Sequence, residues 1–431
     1  MRVSSFSSVF LALAAFATAE EKTSYDGYKV YRVKTGKQLE AVQSKLESFD
    51  FEQWNHDSTS HIDVVIPASQ TASFEALGLS FHVMHANLGD SIAAESAPIT
   101  ANARRQAGNL TWYDSYHPYA DHIRYFDDLH ASFPNNSKKI SSGKSYEGRD
   151  IYGLHLWGSG GSGKPAVLYH ATVHAREWIA APVVEYITYQ LVTGYQSGDP
   201  TVRTFLDSYD FFILPFVNPD GFVYSQTTNR LWRKNRQPPP TNSTCLGRDI
   251  NRNWPFAWNA TARGASSNPC SETYKGAAPA DAPETAGLDA FLRSLRDSQG
   301  IKLFIDWHSY GQDILSPYGF NETLYAPELG KWTKAANLVS GAIREATEDR
   351  TTFTFGPSGA ALYATTGAAP DHAYSIGGAE FSYTVELRDT GDNGFVLPPA
   401  QILPSVVEQW EGQKVLIGLL DEVFFDGRGP A

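Results

Sequence analysis

Apolar runs of strand length alternate with runs of helical spacing over most of this chain. Ala166 to Tyr169, Phe211 to Val217 and Leu303 to Ile305 read as strands, with the helical stretches Val183 to Val192 and Leu288 to Leu295 between them. Parallel strands need a long crossover, and a helix usually supplies it. The alternation therefore predicts an α/β fold, a mixed, largely parallel sheet with helices on both faces. Its ligand site should lie outside the carboxyl ends of the strands. A chain of 431 residues, 42% hydrophobic, can fill such a core and leave room for a second, small domain. A formal net charge of −12 argues against nucleic acid as a partner, because a phosphate backbone calls for an excess of Lys and Arg.

The N-terminus reads as an export signal. Met1-Arg2 precedes an apolar run from Val9 to Phe16 and the small-residue triplet Ala17-Thr18-Ala19, so residues 1–19 are expected to be a signal peptide and the protein secreted and extracellular. No later run is long enough to suggest a membrane span. Five Asn-x-Ser/Thr sequons, at Asn109, Asn135, Asn242, Asn259 and Asn321, are candidates for glycosylation. The two cysteines, Cys245 and Cys270, are expected to close one disulfide in an oxidising compartment, with two buried free thiols as the alternative.

Ahead of the alternating region, Tyr28 to Val33, His61 to Ile66 and Leu79 to Met84 look like strands. Lys37 to Ser48 and Gln70 to Leu77 look like helices between them, which suggests a compact βαβ-type unit over residues 25–88. From Asn87 to Ala107 the sequence turns small and polar and regular structure is expected to lapse. That stretch carries Arg104-Arg105, a dibasic pair suited either to proteolysis or to a plain linker.

Several residues suggest chemistry by position. His174-Ala175-Arg176-Glu177 follows one predicted strand, and His308 follows another. A His with an acid three residues on is weak by itself, and a surface His beside a helix-capping Glu would explain it. Two His and one Glu, however, form an established set for catalytic zinc that leaves a position for water. Along Phe381 to Glu386 strict alternation puts Ser382, Thr384 and Glu386 on one face, so Glu386 is a candidate general base, against an ion pair with Arg388 as the ordinary explanation. Arg233 and Arg252 lie in two short basic stretches that suit oxyanion stabilisation and carboxylate binding, or else a solvated basic patch.

These stretches together resemble the funnelin-type metallocarboxypeptidases, the pancreatic carboxypeptidase A and B family, over nearly the whole chain after the signal. The resemblance rests on HAREW at His174 to Trp178, NPDGF at Asn218 to Phe222, NRLWRKNR around Arg230, DINRNW at Asp249 to Trp254, DWHSY at Asp306 to Tyr310 and ELRDTG at Glu386 to Gly391. It implies a small α+β ferredoxin-like prodomain with an antiparallel sheet at residues 20–105, cleavage by an activating protease at Arg105, and a catalytic domain at 106–431. It further implies one Zn²⁺ held by His174, Glu177 and His308, with Glu386 and Arg233 catalytic. Asn251 and Arg252 would bind the terminal carboxylate of peptide and protein substrates, Tyr363 would fold over them, and Arg176 and Tyr310 would line further subsites. Cys245 and Cys270 match the family's common disulfide. At the pocket base, where an acid would select Lys and Arg, Pro370 stands, with Asp371 aligned to a neighbouring position. An apolar or aromatic C-terminal residue is therefore expected, in a pocket made smaller and more polar by Ser358 and Thr365. A monomer that binds neither nucleic acid nor membrane completes the expectation. The alternatives are an inactive secreted binding relative, a zinc endopeptidase, for which the HExxH motif is lacking, and an amidase acting on cell-wall peptides.

Overall fold

The computed structural model describes residues 21–55, 60–96 and 110–422. The expected signal peptide, the Arg104-Arg105 pair and Asn109 lie outside them. Two sheets organise the rest.

The small N-terminal sheet has strands β1 (Lys29–Lys34), β2 (Glu52–Gln53), β3 (His61–Ile66) and β4 (Phe81–His85), in the order β2-β3-β1-β4. Every pairing in it is antiparallel. This agrees with the resemblance and corrects the βαβ-type reading. The helix after β1 leads into the edge strand β2 rather than into a parallel neighbour of β1. Alternation then divides the strands between two apolar layers. Tyr31, Val33, Ile62, Val64 and Ile66 face the helices Leu39–Leu46 and Thr71–Glu75, packing on Val42, Leu46 and Phe74. Val30 and Val65 face the other way, toward Leu231, Phe395 and Val396 of the large domain.

A second correction concerns the stretch after Asn87. It opens with a helix, Leu88–Glu95, rather than losing structure. Asn87 caps it by accepting the Gly89 amide, and Leu88 and Ile92, one helical turn apart, are buried in the layer shared with Phe395. Ala and Ser made the segment look polar. Its stability comes from tertiary contacts that local composition does not register.

The large sheet has eight strands: β5 (Ser137–Lys144), β6 (Asp150–Leu156), β7 (Ala166–Ala171), β8 (Asp210–Leu214), β9 (Ile301–Ser309), β10 (Asp313–Ser316), β11 (Thr354–Pro357) and β12 (Phe381–Leu387). Their order is β11-β10-β12-β9-β7-β8-β6-β5. The centre, β12-β9-β7-β8, is parallel and the flanks bring in antiparallel pairs, so the sheet is mixed as expected. Helices cover both faces, which is why the central strands read as unbroken apolar runs. Tyr169, Ile305, Trp307, Phe381, Tyr383 and Val385 pack on the side of helices Ala180–Ser197, Leu329–Ala346 and Ile402–Gly418. Leu168 and Phe304 pack on the other, against Leu288, Leu292 and Leu295 of helix Pro283–Ser298. That second face also carries His170, Asp306, His308 and Glu386. No helix among the described residues is long and apolar enough to cross a membrane.

Candidate active site

The turn leaving β7 delivers the first two metal-ligand candidates. Thr172 takes a positive φ of 52°, an uncommon choice for a β-branched residue, and its hydroxyl is fixed by donating to the Pro215 carbonyl at 2.8 Å. The chain then turns tightly, with the Glu177 amide donating to the His174 carbonyl, so both side chains project to one side. His308 arrives from the end of β9, directly opposite Glu386 of β12. Candidate ligand atoms of His174, Glu177 and His308 all lie within 4.8 Å of one another, and all three residues are buried.

The contacts inside this group fit a cation. Nδ1 of His174 is 2.7 Å from Glu177 Oε1, Nδ1 of His308 is 2.9 Å from Glu177 Oε2, and the two Nδ1 atoms are 3.1 Å apart. The far side of each ring faces a carboxylate: His174 Nε2 is 3.1 Å from Asp249 Oδ1 and His308 Nε2 is 3.0 Å from Asp306 Oδ2. Those carboxylates favour the proton on Nε2, which turns both Nδ1 lone pairs inward toward the Glu177 carboxylate. Three converging electron pairs repel unless a metal ion joins them, and two imidazoles with one carboxylate suit zinc. Against burial, which would raise it, His174 and His308 hold the Glu177 carboxyl well below its ordinary range.

A cleft of about 420 Å³ opens beside the triad. His174, Glu177, Arg233 and Glu386 line it near the metal position, and Asn251, Arg252, Tyr310 and Tyr363 line it further out. Arg233 is fixed by Asp249, which accepts from Nη2 at 2.8 Å and Nε at 3.2 Å. Asn251 and Arg252 sit on the short 3₁₀ turn Ile250–Arg252, capped by Asp249. Asn251 accepts the Ala369 amide, whereas Nε of Arg252 is buried without a hydrogen-bond partner, an edge of positive charge suited to an arriving anion. Glu386 is pushed up to about 8 by burial and by the Glu177 carboxylate, against the pull of His308. A bound dication would draw it back down. Arg388 does not pair with Glu386. It binds Glu408 and Asp349, which removes the ordinary explanation for Glu386.

Ser358, Thr365 and Pro370 also line the cleft. Asp371 is buried and turned to the backbone, accepting the amides of Gly319 and Phe320 at 2.9 to 3.0 Å. Gly319 is needed there, because a Cβ on it would stand 2.4 Å from Thr365 Oγ1.

The N-terminal unit roofs this cleft through Arg32, Trp54, Asn55 and His61. Tyr310 donates to Asp63 at 2.6 Å, and Asp63 is paired with Arg32. Arg176 lies beneath the roof rather than in the cleft wall. It donates to Glu52 at 2.6 Å and stacks on Phe395 with 4.0 Å from Cζ to the ring centroid. Cys245 and Cys270 are joined by a disulfide. Among the sequons, Asn135, Asn242 and Asn259 are exposed, and Asn321 is half-buried with its Oδ1 taken by the Thr323 and Leu324 amides.

Sequence reasoning gave no role to Asp249 or Asp306. Asp306 was within reach: two residues before His308 on a buried strand, its carboxylate had to leave from the same face. The seam residues Glu52, Asp63, Glu95 and Arg230 left no local signal, since their partners are far away in the chain.

Comparison with known proteins agrees with this geometry. Residues 122–412 match the family model for zinc carboxypeptidases. The chain belongs to the zinc carboxypeptidase family. Residues 31–95 match the carboxypeptidase activation peptide, so this member is a zymogen, a hydrolase made with its propeptide in front. It is 40% identical over 415 residues to a metallocarboxypeptidase A-like protein of Trichophyton verrucosum, covering 94% of this chain and 96% of that one. Mouse carboxypeptidase A4 is 32% identical over 406 residues, with 92% and 94% covered. The fold superposes on a crystal structure of thrombin activatable fibrinolysis inhibitor with a TM-score of 0.83 at 26% identity, covering 92% of this chain and 99% of that one. With carboxypeptidase A from Helicoverpa armigera the TM-score is 0.79 at 28% identity, with 92% and 98% covered.

Proposed function

We propose that this zymogen is a secreted, monomeric enzyme which, once its propeptide is removed, releases single apolar or aromatic residues from the C-termini of peptides and proteins. In this reading residues 1–19 are the signal, 20–105 the propeptide cut at Arg105, and 106–431 the catalytic domain, glycosylated at some of the exposed sequons. The observation that carries it is the unpartnered, buried edge of Arg252 in the cleft beside the His174-Glu177-His308 triad. A carboxylate bound there by Arg252 and Asn251 sets the last peptide bond of a substrate toward the triad, which is what an exopeptidase requires.

One zinc ion, held by His174, Glu177 and His308, would polarise the scissile carbonyl and make water acidic enough to attack it. Glu386, on the adjoining strand, takes the proton of the attacking water at its carboxylate and passes it to the leaving amine. Arg233, immobilised by Asp249, donates toward the oxygen that gains charge. Tyr363, with Arg252 and Arg233 close enough to perturb it, closes over the bound residue and excludes water. Pro370 at the pocket base and the engagement of Asp371 with backbone amides leave no free acid there, which supports an apolar preference; Ser358 and Thr365 favour a residue of moderate size.

The test is hydrolysis by the purified, trypsin-treated protein of peptides ending in Phe, Leu, Lys or Glu and of an amidated Phe peptide, with and without a zinc chelator. Release of Phe or Leu, stopped by the chelator and absent for the amide, is the expected result. Preferential release of Lys overturns the pocket assignment. Cleavage of the amide overturns the carboxylate clamp and favours an amidase, and no cleavage of any peptide favours an inactive binding protein.

A further inference from the structure

The two histidines of the triad rest on carboxylates kept in very different company. Asp249, behind His174, also accepts from Arg233 at 2.8 and 3.2 Å and from the Asn251 amide at 2.9 Å. Asp306, behind His308, has the close ion contact of 3.0 Å to Nε2. Both its oxygens are fully buried, and neither has an aligned hydrogen bond among the described residues. A buried carboxylate without donors is costly, so another donor near Asp306 is needed.

The sheet supplies one. Strands β7 and β9 run parallel with His170 directly opposite Asp306, and register partners in a pleated sheet send their side chains from the same face. His170 is fully buried, edge-on to Phe304 with ring centroids 4.9 Å apart, and neither ring nitrogen has a partner. Burial pulls its pKa down to about 4 against the field of Asp306, so the ring is neutral. A neutral imidazole keeps one N–H, and Asp306 needs one. Asn251 cannot take the place of Asp306 behind His308. Its Nδ2 stands 3.4 Å from His308 Nε2, but it is a donor, and its oxygen is engaged by the Ala369 amide.

We propose that His170 is a positioning residue for the metal centre: its ring N–H steadies the Asp306 carboxylate, which accepts from His308 Nε2–H and so keeps His308 Nδ1 aimed at the metal. The order of donors and acceptors is consistent along the whole chain of groups, because a metal on Nδ1 forces the His308 proton onto Nε2. His170 thereby does for Asp306 what Arg233 does for Asp249, without a buried charge. The competing explanation is packing alone, in which His170 merely fills a slot beside Phe304.

The inference rests on the zinc reading above, and the experiment separates the two. The full-length chain, its His170→Phe and His170→Gln variants and Asp306→Asn are stripped of metal. Zinc affinity is then measured by competition with a chromophoric chelator, together with the absorption spectrum of the Co²⁺-loaded form and the unfolding midpoint of the metal-free form. Asp306→Asn should weaken zinc about 10- to 100-fold, the range for loss of a partner behind a ligand; His170→Phe, one group further out, should weaken it about 3- to 10-fold and alter the Co²⁺ bands, and His170→Gln, which keeps an N–H at similar reach, should recover most of the affinity. In the Asp306→Asn background His170→Phe should add nothing further. A His170→Phe protein that binds zinc within twofold of the wild type overturns the proposal, and so do fully additive losses. Should His170→Phe not fold, an Asp306→Asn protein with wild-type zinc affinity overturns it equally. A wild-type chain that binds no zinc sinks the metal reading itself.

Discussion

The interiors of the two folded units and the seam between them are held by different physics. Inside the catalytic domain one face of the sheet is sealed by a mainly apolar layer around Trp307, Tyr169 and Phe381, and inside the propeptide by Tyr31, Val64 and Phe74. The seam has a small apolar centre, Trp54 and Ile92 against Leu231 and Phe395, ringed by charge. Arg230 grips Glu95 with two hydrogen bonds while lying over Trp178, Arg176 takes Glu52, and Arg32 donates to the Thr390 carbonyl. Apolar layers come apart only when a unit unfolds. Removing one charge from the seam should weaken it while leaving both units folded.

The largest expected effect lies inside a unit. Trp307→Ala should cost about 3–5 kcal/mol of stability, read from the denaturant midpoint, and equally so with the propeptide attached or removed. If the attached propeptide rescues it, core and seam are not separable and the contrast fails. Next, Glu95→Ala leaves Arg230 buried and unpaired in the complex. It should weaken inhibition by a separately made propeptide by about 2–5 kcal/mol while leaving the mature enzyme's unfolding untouched. A change below about 0.5 kcal/mol in the inhibition constant would show that the apolar centre alone holds the seam.

A smaller effect should follow pH. Burial pushes the Glu52 carboxyl up to about 8 in the complex, with Arg176 pulling it down and Glu272 raising it. In the free propeptide it returns toward its ordinary value of about 4.5. The complex therefore holds a proton that the separated partners release, so propeptide affinity is full below about 4.5 and declines as pH rises through about 8. Inhibition constants between pH 5 and 8 should show this slope, flattened in Glu52→Gln. An unchanged slope means that Glu52 stays ionised beside Arg176. Smallest of all, Lys29→Ala removes an exposed pair with Glu75 and should shift neither affinity nor unfolding midpoint.

The sequence was most legible where chemistry and periodicity coincide. His174, Glu177, His308 and Glu386 could be placed at strand ends because period-2 alternation and apolar runs locate the ends of buried strands, and the structure brings these four together. The disulfide was legible from there being only two cysteines. What stayed hidden depends on distant partners. Helix Leu88–Glu95 owes its burial to Phe395 and its last carboxylate to Arg230, both far along the chain. The antiparallel order of the small sheet depends on a two-residue edge strand too short to leave a periodic signal. The resemblance gives Arg176 a subsite role, and with the propeptide in place it donates to Glu52, a residue that nothing local links to it.

The anchoring of Glu95 has one more consequence. Residues 97–109 are all that join the propeptide to the first helical turn of the catalytic domain, which begins at Leu110. A tether that short keeps the roof at an effective concentration of about a millimolar. Once the tether is cut, the same contacts must compete at bulk concentration. Release of the propeptide should then depend on dilution, and a cleaved sample kept concentrated should regain activity only when diluted.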